Sequence, residues 1–358
     1  MTYTEEQKYW IWLASLPGMG AKTFYRLLKA FGSAADLFEA VAAGRTDEEG
    51  LPPELMKAAK AAASRARVSE LLAELSAKDI SVITRLDAEY PTRLTGIPWP
   101  PPALFVKGEL PVLDDYIGIV GTRACTRRGF EHTRKIAAEL GMPVVSGMAR
   151  GIDTAAHLGT LDAGASTVAV LGCGADVIYP PENDVLYHMI TEKGAIISEL
   201  PPGTGPNAAN FPVRNRIIVG LCRGLLVVES DIKGGTAITA SLAISYDRDV
   251  FAVPGPPWLA SSALPDELLA NGAYPVNGAA DIRAFYGGKP MGAASEEKDL
   301  PPMDFFQQRI YELLRQEDMS IEDIAAAVQG APGEVSAELT MMELSGLCRR
   351  LPGGRFGI

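Results

Sequence analysis

The chain has 358 residues, 47% hydrophobic and 22% charged, which is enough for two or three domains and a sizeable core. Its net charge of −11 argues against a protein that coats nucleic acid generally, because affinity for phosphate backbones comes mainly from clustered Lys and Arg. No apolar run approaches the ~20 residues of a membrane span, the opening MTYTEEQKYW lacks signal-peptide order, and the four cysteines show no CxxC spacing, so a cytoplasmic chain with no metal site, no cofactor and no membrane contact is expected.

In chain order, Thr4 and Gln7 have capping-box spacing before an apolar helix, YWIWLASL. Leu16-Pro17-Gly18-Met19-Gly20 then separates it from a second helix ending at Phe31, where Gly32 is a stop and Ser33 starts a third. Two helices joined by a PGxG turn resemble a helix-hairpin-helix or SAM-like module, whose glycine N–H groups can hold a backbone phosphate. A plain helical hairpin used for packing fits equally well, since only Lys22, Arg26 and Lys29 supply nearby charge. A helix from Pro53 to about Ala77 closes this first domain, 1–78.

The second domain, 79–286, opens with a short strand (ISVIT) and a proline cluster at Pro98, Pro100, Pro101 and Pro102. Prolines in such number cannot occupy a helix or a central strand, so this connector is expected to add edge strands to the sheet that follows. Tyr116 to Val120 reads as a strand, Arg128 to Leu140 as a helix, Pro143 to Ser146 as a strand, and a helix starts near Ile152. Further strand candidates are Thr167 to Leu171, Ala195 to Ser198, Leu225 to Glu229, Val250 to Val253 and a weaker Tyr274 to Val276, separated by helical patterns. Such alternation predicts right-handed crossovers and a doubly wound, mainly parallel α/β sheet.

In a sheet of that kind, ligands sit outside the carboxyl ends of the strands, where loop N–H groups and helix N-termini face one crevice. Two strand-end loops there carry Gly and Arg: Gly121-Thr122-Arg123, and Ser146-Gly147 followed by Arg150. Gly121 allows close backbone approach, Thr122 and Thr126 offer hydroxyls and a helix cap, and Arg123 presents a planar, permanently charged fork to phosphate. From Gly121 to Lys135 four Arg and one Lys face Glu131 alone, and Phe211 to Arg223 holds three Arg and no acid. An anion-binding crevice on an acidic body is therefore expected. Neither the GxGxxG dinucleotide fingerprint nor a Walker A pattern occurs.

Residues 287–302 form a Gly-, Pro- and charge-containing linker. From Met303 to Ile358 the pattern is helix, a helix from Ile321, a helix from Glu334, then CRRLPGGRFGI as strand, turn and strand, which is winged-helix order. Five Arg and no Lys face nine acids in this third domain, 303–358, so protein contact is a better expectation for it than DNA contact.

GTR (121–123), SGMARGIDTAAH (146–157), YPPEN (179–183), FPVRNRII (211–218), VVES (227–230), GGTAITA (234–240) and VFAVPG (250–255), taken in register, resemble the DNA-processing protein A family, DprA, also called Smf. The resemblance implies a Rossmann-like domain that binds single-stranded DNA, dimerises, and helps load the RecA recombinase, as in DNA uptake and natural transformation. By motif match Arg123 would hold a phosphate, Phe211 would offer a stacking face, and Arg214 and Arg216 would stand near the same crevice. The DNA-binding set it implies is Gly121, Thr122, Arg123, Ser146, Gly147, Arg150, Asn210, Phe211, Arg214, Asn215, Arg216, Lys233, Gly235 and Thr236. This chain departs from the pattern at Ala208, where many relatives have lysine and for which Lys233 could substitute, at Gly234 to Thr239, and around Ala263 to Asp266.

Two further readings stay open beside it. Asp153 and His157 lie four apart on a helical face and could do acid–base work, but a structural pair is the stronger reading and no nucleophile motif accompanies them, so an enzyme is not expected. Glu229, at a strand's carboxyl end, could receive a sugar hydroxyl, which gives the alternative of a nucleotide-binding or nucleoside-phosphate-hydrolysing Rossmann-like protein.

Overall fold

The computed structural model describes residues 3–45, 53–111, 115–287, 305–314, 319–328, 330–344, 347–351 and 355–357. They divide into two compact units, Met1–Gly292 and Ala293–Ile358. The expected linker lies outside the described residues apart from Gly287.

Unit one opens with helices α1 (Glu5–Ala14), α2 (Ala21–Phe31), α3 (Ala34–Ala42), α4 (Pro53–Ala62) and α5 (Arg65–Ala77). The capping box is formed: Thr4 Oγ1 accepts from Gln7 N–H at 3.3 Å, and Thr4 N–H donates to Gln7 Oε1 at 2.7 Å. Gly32, at φ +91°, ends α2 in a region that costs glycine nothing. The single helix expected from Pro53 to Ala77 is instead two, because the Ser64 hydroxyl accepts the Arg67 N–H at 3.2 Å and caps a new start. Trp10, Trp12, Phe24 and Phe38 form the helical core, which continues without a break into Phe105 and Ile196 of the sheet and into Leu171 and Tyr187 beside it.

The sheet region then runs β1 (Ser81–Thr84), α6 (Thr92–Thr95), β2 (Ala103–Gly108), β3 (Tyr116–Val120), α7 (Arg127–Glu139), β4 (Val144–Ser146), α8 (Ile152–Asp162), β5 (Thr167–Val170), α9 (Asp184–Lys193), β6 (Ala195–Ser198), α10 (Asn210–Leu221), β7 (Cys222–Val227), α11 (Gly235–Ser245), β8 (Asp249–Ala252), α12 (Ala263–Ala270), β9 (Tyr274–Pro275) and α13 (Ala279–Phe285). Nine strands lie in the order β1-β2-β6-β5-β4-β3-β7-β8-β9. Only the two pairings made by β2 are antiparallel; the other six are parallel. The proline-rich connector thus supplies two strands at one edge of a doubly wound, mainly parallel sheet, as its composition predicts. The chain leaves β3 in one direction through β4, β5 and β6 and returns to its other side with β7, so the topological switch point lies between β3 and β7.

Helices α7 and α8 pack so closely that a Cβ at Gly159 would collide with the Arg134 carbonyl oxygen, a backbone atom that cannot swing aside. Gly159→Ala is therefore expected to lower stability by about 1–3 kcal/mol through overpacking, measured as a lower urea midpoint at unchanged slope.

In the second unit, α14 (Phe305–Leu314), β10 (Met319–Ser320), α15 (Ile321–Val328), α16 (Pro332–Leu344), β11 (Arg349–Leu351) and β12 (Arg355–Gly357) form a winged helix. Ile310, Leu314, Ile324, Val335, Leu339, Met342 and Phe356 make its core. The sequence pattern misses β10, whose two residues pair with Phe356 and Arg355 of β12 and are too short to show a period. No helix among the described residues is long and apolar enough to cross a membrane.

Candidate nucleic-acid interface

At the switch point a cleft of about 600 Å³ opens beyond the carboxyl ends of β3 and β7. Its position follows from local sterics. A Cβ at Gly121 would meet the Ile152 side chain of α8 and, at 2.9 Å, the Glu229 carbonyl oxygen, so only glycine lets the loop turn there. Thr122 N–H donates to that carbonyl at 2.6 Å, and the Thr122 hydroxyl accepts from Ala124 N–H at 3.2 Å, which fixes the loop and leaves the exposed Arg123 standing over the cleft.

The Arg123 guanidinium lies 5.5 Å from the centroid of the half-buried Phe211 ring, within cation–π range. Tyr179 meets the same ring at 5.4 Å with the planes tilted by 43°. Gly172 sits under Phe211, where a Cβ would come to 2.9 Å from the ring. On the other side of the cleft α11 begins at Gly235 with no side-chain cap, so its first N–H groups face the same space as Arg123 and the exposed Lys233. An uncapped helix start beside two cations is a site for phosphate oxygen, and the aromatic pair gives a base something to stack on.

Of the residues expected from the sequence, Gly121, Thr122, Arg123, Phe211, Arg214, Asn215, Lys233, Gly235 and Thr236 line this cleft. Gly147 and Arg150 line an adjoining recess with Tyr179 and Phe211, where Arg150 is paired with Glu182.

Of the two arginines of α10, Arg214 lines the cleft from below and Arg216 needs correction. Arg214 is 5% exposed, and its guanidinium donates to the carbonyls of Gly147, at 2.9 Å, and of Val170, and to Asn215 Oδ1 at 3.2 Å. Burial pushes its pKa down to about 10, which leaves it a cation under the cleft floor, holding the ends of β4 and β5 together. Arg216 points away altogether and pairs with the partly buried Glu199, because two residues along a helix is about 200° of rotation. Ser146 is fully buried and donates to the Ile119 carbonyl at 2.6 Å, so it joins β3 to β4 and does not reach the cleft. Asn210 starts α10 outside the lining.

Asp153 and His157 do not form a hydrogen-bonded pair. His157 is completely buried, shares a 2.8 Å hydrogen bond with the Thr167 hydroxyl through Nδ1, and is pushed down to about 3, so it is neutral at physiological pH. Asp153 lies at the cleft floor, accepts from Ala149 N–H at 3.3 Å, and is raised by burial against the pull of Arg214. Glu229, the residue behind the nucleotide alternative, turns to the other side of the β3 loop. It accepts Thr126 N–H at 2.8 Å and Thr126 Oγ1 at 2.6 Å, at the start of α7. Tyr179 and Asp231 are cleft residues absent from the expected set, Tyr179 because its loop motif gives no sign of which ring it will meet.

Fold and site together define a doubly wound α/β protein with a cationic, aromatic cleft at its switch point. Residues 81–287 match the family model described as DNA recombination-mediator protein A, and residues 294–354 match the DprA winged helix domain. The chain belongs to the DprA/Smf family. It is 32% identical to protein Smf of Synechocystis sp. over 98% of both chains. The X-ray structure of DNA processing protein A from Streptococcus pneumoniae superposes with a TM-score of 0.66 at 31% identity, covering 79% of this chain and 98% of that one. DNA processing protein A from Helicobacter pylori, solved for its single-stranded DNA binding mode, superposes with a TM-score of 0.52 at 27% identity, covering 58% of this chain and 95% of that one.

Proposed function

We propose that the cleft binds single-stranded DNA and that the protein is a recombination mediator that protects the strand and helps load RecA onto it, acting as a homodimer in the cytoplasm during DNA uptake. One observation carries the DNA reading: Arg123 is stacked over a half-buried Phe211 beside the uncapped N-terminus of α11. Backbone phosphate and base face are thereby offered complementary partners within one cleft. The mediator role draws on the family, and the single-stranded DNA binding mode of the Helicobacter pylori relative supports the strand-binding part of the reading.

The test is a fluorescence titration of labelled oligo-dT and of its matched duplex at two salt concentrations, with ATP and nucleoside monophosphates as competitors. Tight, salt-sensitive preference for the single strand, undisturbed by nucleotides, is the expected result. Saturable displacement by nucleotides with no strand binding would overturn it.

A further inference from the structure

We propose that the N-terminal helices carry a second contact surface for the same single-stranded DNA, built from Lys22 over Trp99 and Arg85 over Tyr25. This rests on the single-strand reading of the cleft and extends it to a longer strand.

Two cation–aromatic pairs lie on the α2 side of unit one. Lys22 Nζ is 5.9 Å from the Trp99 ring centroid, and the Arg85 guanidinium is 5.6 Å from that of Tyr25. Both cations are exposed and each stands over an aromatic ring, Trp99 exposed and Tyr25 half-buried, the combination that the cleft makes with Arg123 and the half-buried Phe211.

Trp99 is a separate indication. It stands between Pro98 and Pro100 with φ at +53°, a left-handed conformation that a bulky side chain rarely adopts and that a following proline disfavours. Its ring is nevertheless 49% exposed, so burial does not repay the conformation. A strained residue that holds a large aromatic ring out into water is a sign of contact with something outside the chain.

The surface adjoins the cleft through α10. Phe211, at the start of α10, faces the cleft, and at the other end of the helix a Cβ at Gly220 would meet the Leu94 and Ile97 side chains of the connector that carries Trp99. A strand leaving the cleft along α10 therefore runs toward the connector, where Lys22 lies over Trp99 and Arg85 over Tyr25.

The test compares oligo-dT of about six nucleotides, which fills the cleft, with one of about twenty-four, which can reach both surfaces. With Lys22→Gln and Arg85→Gln combined in the full chain, the short oligonucleotide should bind as to the wild type. The long one should lose about tenfold in affinity, and its salt slope should fall by about 1.4, or 0.7 for each lost phosphate contact. Trp99→Gly removes the ring while relieving the backbone, so the fold is preserved; it should weaken the long oligonucleotide about fivefold with the slope unchanged. Wild-type affinity of both variants for the long oligonucleotide would overturn the second surface alone. Failure of the wild type to bind either length would overturn the cleft reading, and this one with it.

Discussion

Replacing Arg214 by methionine is expected to lower the stability of unit one by about 3–5 kcal/mol, the largest effect of any single change in the cleft. Methionine keeps much of the volume but none of the donors. The Gly147 and Val170 carbonyls, which terminate β4 and β5, lose their N–H partners in a site where water cannot replace them. Asp153 loses the cation that offsets its burial, so its carboxyl, already raised, rises further. The sign of the pH dependence follows. A carboxyl whose folded pKa lies above its unfolded one stabilises the fold at acid pH and withdraws that support as pH rises through the folded value. The deficit of the variant should therefore widen as pH rises above the ordinary carboxyl range, about 4, read from urea midpoints at each pH. A loss below about 1 kcal/mol, or one that narrows with rising pH, would show that Arg214 is a ligand contact and not a strut.

That division of labour marks where the sequence stops being informative. The alternation of strand and helix patterns is enough for the doubly wound sheet, because β3, β4, β5 and β6 are short runs buried along their whole length with a helical stretch between each and the next. Gly121 and Thr126 are legible too, since their roles depend on the backbone within a few residues. Arg214 and Arg216 share one motif and differ only in which side of α10 they occupy, and rotation around a helix decides that one is a strut and the other a partner of Glu199. Glu229 looks like a sugar acceptor because strand ends often carry one. It is used up by Thr126, more than a hundred positions earlier, a pairing no local pattern reveals. Tyr179 and Trp99 are missed for a like reason: what makes each notable is the ring or cation opposite, and those partners arrive through the fold.

Arg123 and Phe211 are expected to act on DNA as one unit. Arg123→Ala should weaken oligo-dT binding by about 1–3 kcal/mol through loss of a charged hydrogen bond to phosphate, with the salt slope falling by about 0.7. Phe211→Ala should lose about 1–3 kcal/mol of base stacking with most of the slope retained, because no phosphate contact goes with the ring. The guanidinium is 5.5 Å from the ring, so each side chain also positions the other. Removing the ring frees Arg123 to sample orientations that do not face phosphate, and removing the guanidinium leaves one face of the ring without its cover. The double variant should consequently lose less than the sum of the single losses, with a coupling of about 0.5–2 kcal/mol in the cycle. Strict additivity would mean that the two side chains meet different parts of the strand. A slope that collapses in Phe211→Ala would mean that the ring's main task is to hold Arg123 in place, with stacking secondary, since only a cation can release counterions from the backbone.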